Sequence, residues 1–145
     1  MRCNLVNPAI LSDQHLIAEK RELRMIPPLL KKRIDNGISL RSGIPKSFTL
    51  GKGHMLFWID KMEYLNLRFK LLEIEMKKRG FKVNEDLHFD MFYAIMYGLN
   101  NDWEPNNNDY DIIKERIKSR LLEKPNWYRY YGKPIDNEWI STLYL

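Results

Sequence analysis

Four side chains that can act on a sugar or a phosphate fall on one predicted helix near the N-terminus. Residues seven apart share a helix face, so Gln14 and Arg21 form one polar stripe, and His15 and Glu22 form the next. A helix that presents an amide, an imidazole, a guanidinium and a carboxylate side by side is suited to line a polar site. The alternative interpretation is a solvated face with an ordinary Arg–Glu pair.

The N-terminus contributes a further reactive group. An α-amine has a pKa of about 8, well below that of lysine, so more of it is unprotonated and nucleophilic at neutral pH. The neighbouring cation Arg2 favours the unprotonated form of the Met1 amine. An amine and a carboxylate such as Glu22 are the minimum set for Schiff-base chemistry at a sugar C1′. The alternative is that Met1 is an ordinary chain end.

Aromatic and cationic residues alternate in a segment near the C-terminus. Residues 127–133 contain four aromatic rings and two cations. Aromatic faces stack on bases, and cations between them bind phosphates; the alternative is that the rings pack this tail onto the helices. Just upstream, Arg116 and Arg120 lie four residues apart on one helix face, a spacing that suits two phosphate contacts or simple solvation.

The elements that position these groups are predicted to be helices. Apolar residues spaced by three and four, together with a Ser12 cap and breaks at Pro27-Pro28, Gly80 and Pro125, indicate where they lie. Helical patterns cover 13–26, 29–35, 58–79 and 109–123, with a shorter one over 88–99 inside an irregular region 84–111. No segment has the alternation of a strand. We predict one compact all-α domain over 1–145, with three main helices, long ordered loops and an aromatic C-terminal tail.

Length and composition exclude several classes of protein. The 145 residues suit one domain, and 44% hydrophobic and 30% charged residues are an ordinary globular balance. The longest apolar run, Met55 to Ile59, is too short to span a membrane, and no signal peptide is apparent. The single cysteine, Cys3, excludes an internal disulfide framework and favours an intracellular setting. Phosphate-binding and zinc-binding motifs are missing, and the acidic residues of 85–90 follow no metal-ligand spacing, so we expect no metal site.

Basic side chains are concentrated at both ends of the chain, which has a net charge of +5. Residues 1–52 carry 10 basic and 4 acidic side chains, residues 53–111 carry 7 and 11, and residues 112–145 carry 7 and 4. If the two ends meet in the fold, they form one positive face, which is typical of a protein that binds a polyanion. The alternative is a solvated basic surface.

Short motifs follow one another at near-constant spacing along nearly the whole chain. They are Arg2-x-Asn4-Leu5, Asp13-Gln14-His15-Leu16, Ala18-Glu19-x-Arg21-Glu22-Leu23, Asn36-Gly37, Leu50-Gly51-x-Gly53-His54, Asp60-Lys61-x-Glu63, Lys78-Arg79-Gly80-Phe81, Pro125-x-Trp127-Tyr128 and Tyr130-Tyr131-Gly132-Lys133. Together they resemble the motifs of the phage endonuclease V-type pyrimidine dimer DNA glycosylases. The region 84–111 does not match this family, and residues from about 136 to 145 form an extension.

The resemblance implies an all-α enzyme that repairs duplex DNA containing UV-induced pyrimidine dimers, acting as an intracellular monomer without metal, cofactor or membrane. In this family the N-terminal α-amine attacks C1′ of the damaged nucleotide, a protonated imine forms, and β-elimination cuts the strand. By register, the amine is that of Met1 and the essential carboxylate is that of Glu22. Alternatives are the same chemistry on another lesion or on abasic sites alone, and a catalytically idle DNA-binding protein.

The resemblance also assigns residues to the DNA. The phosphate clamps map to Arg2, Arg21, Arg116 and Arg120, and the residues that approach the DNA map to Gln14 and His15. The tail aromatics map to Trp127, Tyr128, Tyr130 and Tyr131, which contribute either to damage recognition or to seating the helices. The cations of the same segment, Arg129 and Lys133, are further candidates for DNA binding. Two positions depart from the family. Met1 stands where relatives expose a threonine after methionine removal, and Met25 replaces an expected arginine, with Arg24 as the adjacent candidate.

Overall fold

The computed structural model describes residues 3–143. Its helices are α1 (Asp13–Leu23), α2 (Ile26–Asp35), α3 (His54–Phe57), α4 (Met62–Lys78), α5 (Phe92–Met96), α6 (Asn107–Glu123) and α7 (Asn137–Leu143), and a 3-10 turn spans Pro8–Ile10. Strands β1 (Arg129–Tyr130) and β2 (Lys133–Pro134) pair as an antiparallel hairpin. The predicted all-α class is confirmed. No helix among the described residues is long and apolar enough to cross a membrane.

Local hydrogen bonds fix where the main helices begin. The Ser12 hydroxyl accepts the backbone N–H of His15 at 3.1 Å and caps α1, as the sequence predicts. Asn106 and Asp109 form a reciprocal capping box at the start of α6. The Pro27-Pro28 pair lies in the first turn of α2, where a proline loses no helical hydrogen bond, so the prolines begin the second helix instead of separating it from the first.

The core forms where the apolar faces of the long helices meet. Helix α1 packs against α4, and α6 contributes a buried stripe at spacings of four residues. The fully buried Trp58 is stacked on Tyr64 at 5.3 Å and meets the edge of Trp103 at the same distance, which anchors the loop before α4 and the connection between α5 and α6. On α1, Leu16 and Leu23 are fully buried in this core.

An ionic network returns the C-terminal tail to α1. The Asp13 carboxylate accepts hydrogen bonds from the backbone N–H groups of Tyr131 and Gly132 and from the Arg79 guanidinium, at 2.8–3.1 Å. The Arg79 guanidinium also lies 4.7 Å from the centre of the Tyr130 ring. Tyr131 and Gly132 have φ values of 50° and 77°, as a two-residue hairpin loop of this twist requires.

The structure shortens two of the predicted helices, because α1 ends at Leu23 and not near Ile26, and α4 begins at Met62 and not at residue 58. It also differs from the sequence prediction in three further regions. The helix inside 84–111 is limited to α5, shorter than the predicted 88–99. The hairpin has strands of two residues, too short to show an alternating pattern in the sequence. The extension after residue 136 forms α7, whose Ile140 is buried and whose Trp139 ring lies 5.1 Å from that of Tyr130.

Candidate active site

A cleft of about 250 Å³ lies between α1, α6 and Asn4. Helix α1 lines it with residues at i, i+3, i+4 and i+7, and α6 lines it with one face of its second half. The lining residues are Asn4, His15, Ala18, Glu19, Glu22, Arg116, Ile117, Arg120, Glu123, Lys124 and Tyr128. The structure thus brings five predicted site residues from three separate segments together.

The two carboxylates that α1 contributes have different surroundings. Both oxygens of Glu19 are engaged, because they accept hydrogen bonds from Asn4 and from Arg68 at 2.8–3.1 Å. Glu19 and Arg68 are both buried, so this pair is a structural anchor. Glu22, one turn further along, is half-buried and lines the same cleft. Glu22 is therefore the α1 carboxylate that a bound molecule can reach.

His15 is a neutral imidazole at the cleft wall. Burial lowers its pKa to about 4; Glu19 opposes this effect, whereas Arg116 and Arg120 add to it. The ring is stacked on Tyr128, with centroids 4.8 Å apart, and its Nδ1 lies 3.0 Å from the Ser12 hydroxyl oxygen. A rigid neutral ring beside two cations is suited to hydrogen bonding with a polar ligand and not to carrying charge.

Helix α6 makes the opposite wall of the cleft cationic. Arg116 and Arg120 lie one turn apart, and Lys124 follows one turn later, at the end of α6. Arg120 forms an ion pair with Glu123 at 2.9 Å, but both side chains are about half exposed, so the pair leaves the arginine able to meet another anion. The cleft therefore combines a carboxylate on one wall with a positive charge on the other.

A shallow surface continues from the cleft across the outside of α1. Gln14, Arg21 and Trp127 line it, and it shares His15 and Tyr128 with the cleft. Trp127 is half exposed and meets Tyr128 edge to face at 4.8 Å. The aromatic tail thus stands beside the polar stripes of α1, as would be needed for both to touch one ligand.

Gln14 has a structural task as well as a place on this surface. Its amide nitrogen donates to the Trp127 carbonyl at 2.8 Å, and its amide oxygen accepts the Arg129 N–H at 2.9 Å. These two bonds tie the tail to α1. The Arg129 side chain is exposed.

The remaining predicted residues fall elsewhere or outside the described chain. Arg24 is exposed at the C-terminal end of α1, outside the cleft lining. Tyr130 donates its hydroxyl hydrogen to the Ala9 carbonyl at 2.8 Å, and with Lys133 it lines a separate hollow against α7. Met1 and Arg2 lie outside the described residues.

Several residues of the site were missed by the sequence analysis. Glu19 was found only as part of a motif. The search for residues seven apart joined His15 to Glu22 but passed over Glu19, which lies four residues after His15 on the same face. Asn4 was also found only within a motif, and Lys124 had no signal beyond its charge. Among residues 3–143, no group of three or more His, Cys, Asp or Glu side chains is arranged to hold a metal ion.

The cleft places the accessible Glu22 carboxylate opposite the arginines of α6 and leads onto an aromatic surface, which is an arrangement suited to a nucleic acid substrate. The family model of the pyrimidine dimer DNA glycosylases matches residues 1–89. The chain belongs to this family. The match includes all of α1, and hence Gln14, His15, Arg21 and Glu22, whereas α6 and the aromatic tail lie beyond the matched residues. The expected DNA repair function on pyrimidine dimers is thereby supported at the level of the family.

Proposed function

We propose that this pyrimidine dimer DNA glycosylase also cleaves the DNA strand, as an AP lyase that works through an imine with its N-terminal α-amine. The observation that carries the proposal is the cleft itself. Glu22 faces it beside Arg116 and Arg120, and Asn4, three residues from the chain start, lines it too. A fully extended chain of three residues spans about 10 Å, so the cleft is within reach of the amine.

The other nucleophiles near the cleft are less suited to the reaction. Burial, reinforced by Glu19, raises the pKa of the Cys3 thiol, and that side chain is fully buried. Lys124 is the rival amine on the cleft wall, with its Nζ 4.8 Å from the centre of the Trp127 ring. A lysine has an intrinsic pKa of about 10.4, so an ordinary lysine is almost fully protonated at neutral pH. An α-amine therefore has the advantage as nucleophile.

The proposed reaction conserves atoms and charge at each step. The amine of Met1 attacks C1′, the glycosidic bond breaks, and the base departs with the bonding electrons and takes up a proton. The C1′–O4′ bond then breaks, O4′ takes up a proton, and the amine nitrogen and C1′ form a protonated imine. Removal of a C2′ proton then expels the 3′ phosphate oxygen, and water hydrolyses the imine. Glu22 stabilises the cationic sugar and assists the proton transfers.

DNA binding is assigned to the surface that surrounds the cleft. Arg116 and Arg120 take the phosphates beside the damaged nucleotide, and Arg21 takes a phosphate on the other side of α1. Trp127 and Tyr128 provide stacking faces for bases. A damaged step is easier to deform than an intact one, which favours the opening of the duplex at the dimer. Because its substrate is DNA, we propose that the enzyme acts inside cells.

The proposal is tested with untagged protein on UV-irradiated and on abasic plasmid, both in EDTA. The wild type is expected to nick both substrates. Glu22→Gln preserves the shape of the side chain, and we expect it to lose about 100-fold or more of the dimer glycosylase rate while it still binds damaged DNA. Glu138→Gln, an exposed change of the same type on α7, is the matched control and is expected to behave as the wild type.

Each other outcome of this experiment selects a different function. Nicking of abasic plasmid alone would favour an enzyme restricted to abasic sites. Binding without nicking of either plasmid would favour an idle DNA-binding protein. Full activity of the Glu22→Gln variant would contradict the role given to Glu22.

A further inference from the structure

The motif Gly51-x-Gly53-His54 has no part in the chemistry above, yet its histidine holds the start of the chain. The backbone N–H of Cys3 donates to His54 Nε2 at 3.1 Å. The Thr49 carbonyl lies 2.7 Å from His54 Nδ1, and a carbonyl can only accept, so Nδ1 carries the hydrogen and Nε2 is the acceptor. We infer that His54 is a positioning residue for the N-terminal α-amine, an inference that rests on the proposed function.

The ring of His54 is held in place from several sides. It is buried, with the Phe48 ring at 5.6 Å and the Trp58 ring at 6.0 Å, both edge to face. Gly53 precedes it at the start of α3, and a Cβ at Gly53 would lie 2.9 Å from the Pro45 side chain. The loop therefore closes tightly over the histidine, and its Nε2 lone pair has one fixed direction.

A second attachment holds the next residue. The backbone N–H and the side-chain amide of Asn4 both donate to Glu19, at 3.0 and 2.9 Å. Arg68 binds the same carboxylate and also donates to the Val6 carbonyl. Between these contacts Leu5 has a φ of 57°, a conformation that a leucine keeps only where its surroundings impose it.

These attachments act on two consecutive residues, Cys3 and Asn4, which follow Met1 closely in the chain. His54 fixes the N–H of Cys3, and Glu19 fixes Asn4. Two residues of fully extended chain span at most about 7 Å, so the position of Cys3 limits where the amine can lie. A displacement of about 1 Å at a reacting group can reduce a rate by about 100-fold. His54 therefore affects the cleavage rate through the backbone of Cys3 and needs no contact with the DNA.

The test compares two amides at position 54. The asparagine of His54→Asn reaches the position of Nδ1 and can still donate to Thr49, but it is too short to accept from Cys3. The glutamine of His54→Gln places its amide oxygen near the position of Nε2 and restores the acceptor. Single-turnover strand cleavage of an abasic duplex gives the rate constant, binding of a duplex with a non-cleavable abasic analogue gives the affinity, and thermal unfolding reports the fold.

We expect His54→Asn to lower the single-turnover rate constant by about 100-fold while the affinity stays within about 2-fold of the wild type, and His54→Gln to recover most of the rate. If the asparagine variant does not fold, His54→Phe, which keeps a ring in the aromatic cluster but has no acceptor, takes its place. His88→Asn, at an exposed histidine, is the control.

Three results would overturn the inference. They are a wild-type rate in the folded asparagine variant, a parallel loss of rate and affinity, and a glutamine variant as slow as the asparagine variant. Borohydride trapping of the wild type in the same experiment distinguishes a failure of the positioning role of His54 from a failure of the proposed function. If the adduct forms on Met1 but the His54 variants cleave at the wild-type rate, only the positioning role of His54 is overturned. If no adduct forms on Met1, the positioning role and the proposed function are both overturned.

Discussion

The neutral state of His15 makes the stability of the protein depend on pH in a defined window. In the unfolded chain the imidazole takes up a proton near its ordinary pKa of 6.5, whereas in the folded protein burial and the two α6 arginines lower the pKa to about 4. Between these values the unfolded state binds more protons, so stability falls as the pH falls from about 6.5 to about 4. At higher pH the contribution of His15 is constant.

The size of this effect follows from the pKa difference. Each pKa unit corresponds to about 1.36 kcal/mol, so the free energy of unfolding falls by about 3 kcal/mol in all. Most of this decrease is reached by about pH 4.5. His15→Phe removes the titration and keeps a ring on Tyr128. Urea unfolding of both proteins at pH 7.5 and pH 4.5 gives the comparison, because carboxylates that titrate in the same range cancel in the difference.

We expect the wild type to lose about 2–3 kcal/mol more than the phenylalanine variant between the two pH values. The variant also loses the contact between the imidazole and Ser12, but that loss is present at both pH values and does not affect the comparison. Equal losses in the two proteins would refute the placement of His15 as a half-buried neutral group beside Arg116 and Arg120.

Three further perturbations test the surface and the tail. Arg116→Ala is expected to weaken binding to damaged and undamaged DNA alike and to reduce the slope of log K against log salt by about 1, measured by fluorescence anisotropy; an unchanged slope would remove it from the phosphate contacts. Trp127→Ala is expected to cost about 1–3 kcal/mol of affinity for damaged DNA at unchanged thermal stability, and equal affinity would make this half-exposed ring irrelevant to binding. Asp13→Asn removes the charge that pairs with Arg79 and is expected to lower the unfolding free energy by about 3 kcal/mol, against no change in the exposed control Asp111→Asn; a stability equal to that of the control would refute the anchoring of the tail.

The long helices were predictable because their signals are local. The Ser12 cap and the apolar spacing of three and four predicted α1 and the α4 region, with boundaries within a few residues. The hairpin at 129–134 was not predictable, because it depends on hydrogen bonds from Tyr131 and Gly132 to Asp13, more than a hundred residues away. Pairing at that separation leaves no pattern in the local sequence.

The candidate site was predictable where residue type and helix spacing suffice. The meeting of Glu22 with Arg116 and Arg120 follows from two helices that each present one polar face, and the resemblance supplied their pairing. The double role of Gln14, which also holds the tail, required the structure. So did the anchor between Glu19 and Arg68, because a buried charge pair has no sequence signature that separates it from two solvated charges.

The central claim is that the reacting nitrogen is the α-amine of Met1. Sodium borohydride added during turnover on an abasic duplex reduces the imine to a stable amine and joins protein to DNA. Peptide mapping by mass spectrometry, which also reports whether Met1 is retained with a free amine, is expected to locate the adduct on the Met1 α-nitrogen. The same adduct is expected in Lys124→Arg, which keeps the charge of the rival amine but cannot form this imine. An adduct on Lys124, or undiminished cleavage by a protein with an acetylated N-terminus, would contradict the account.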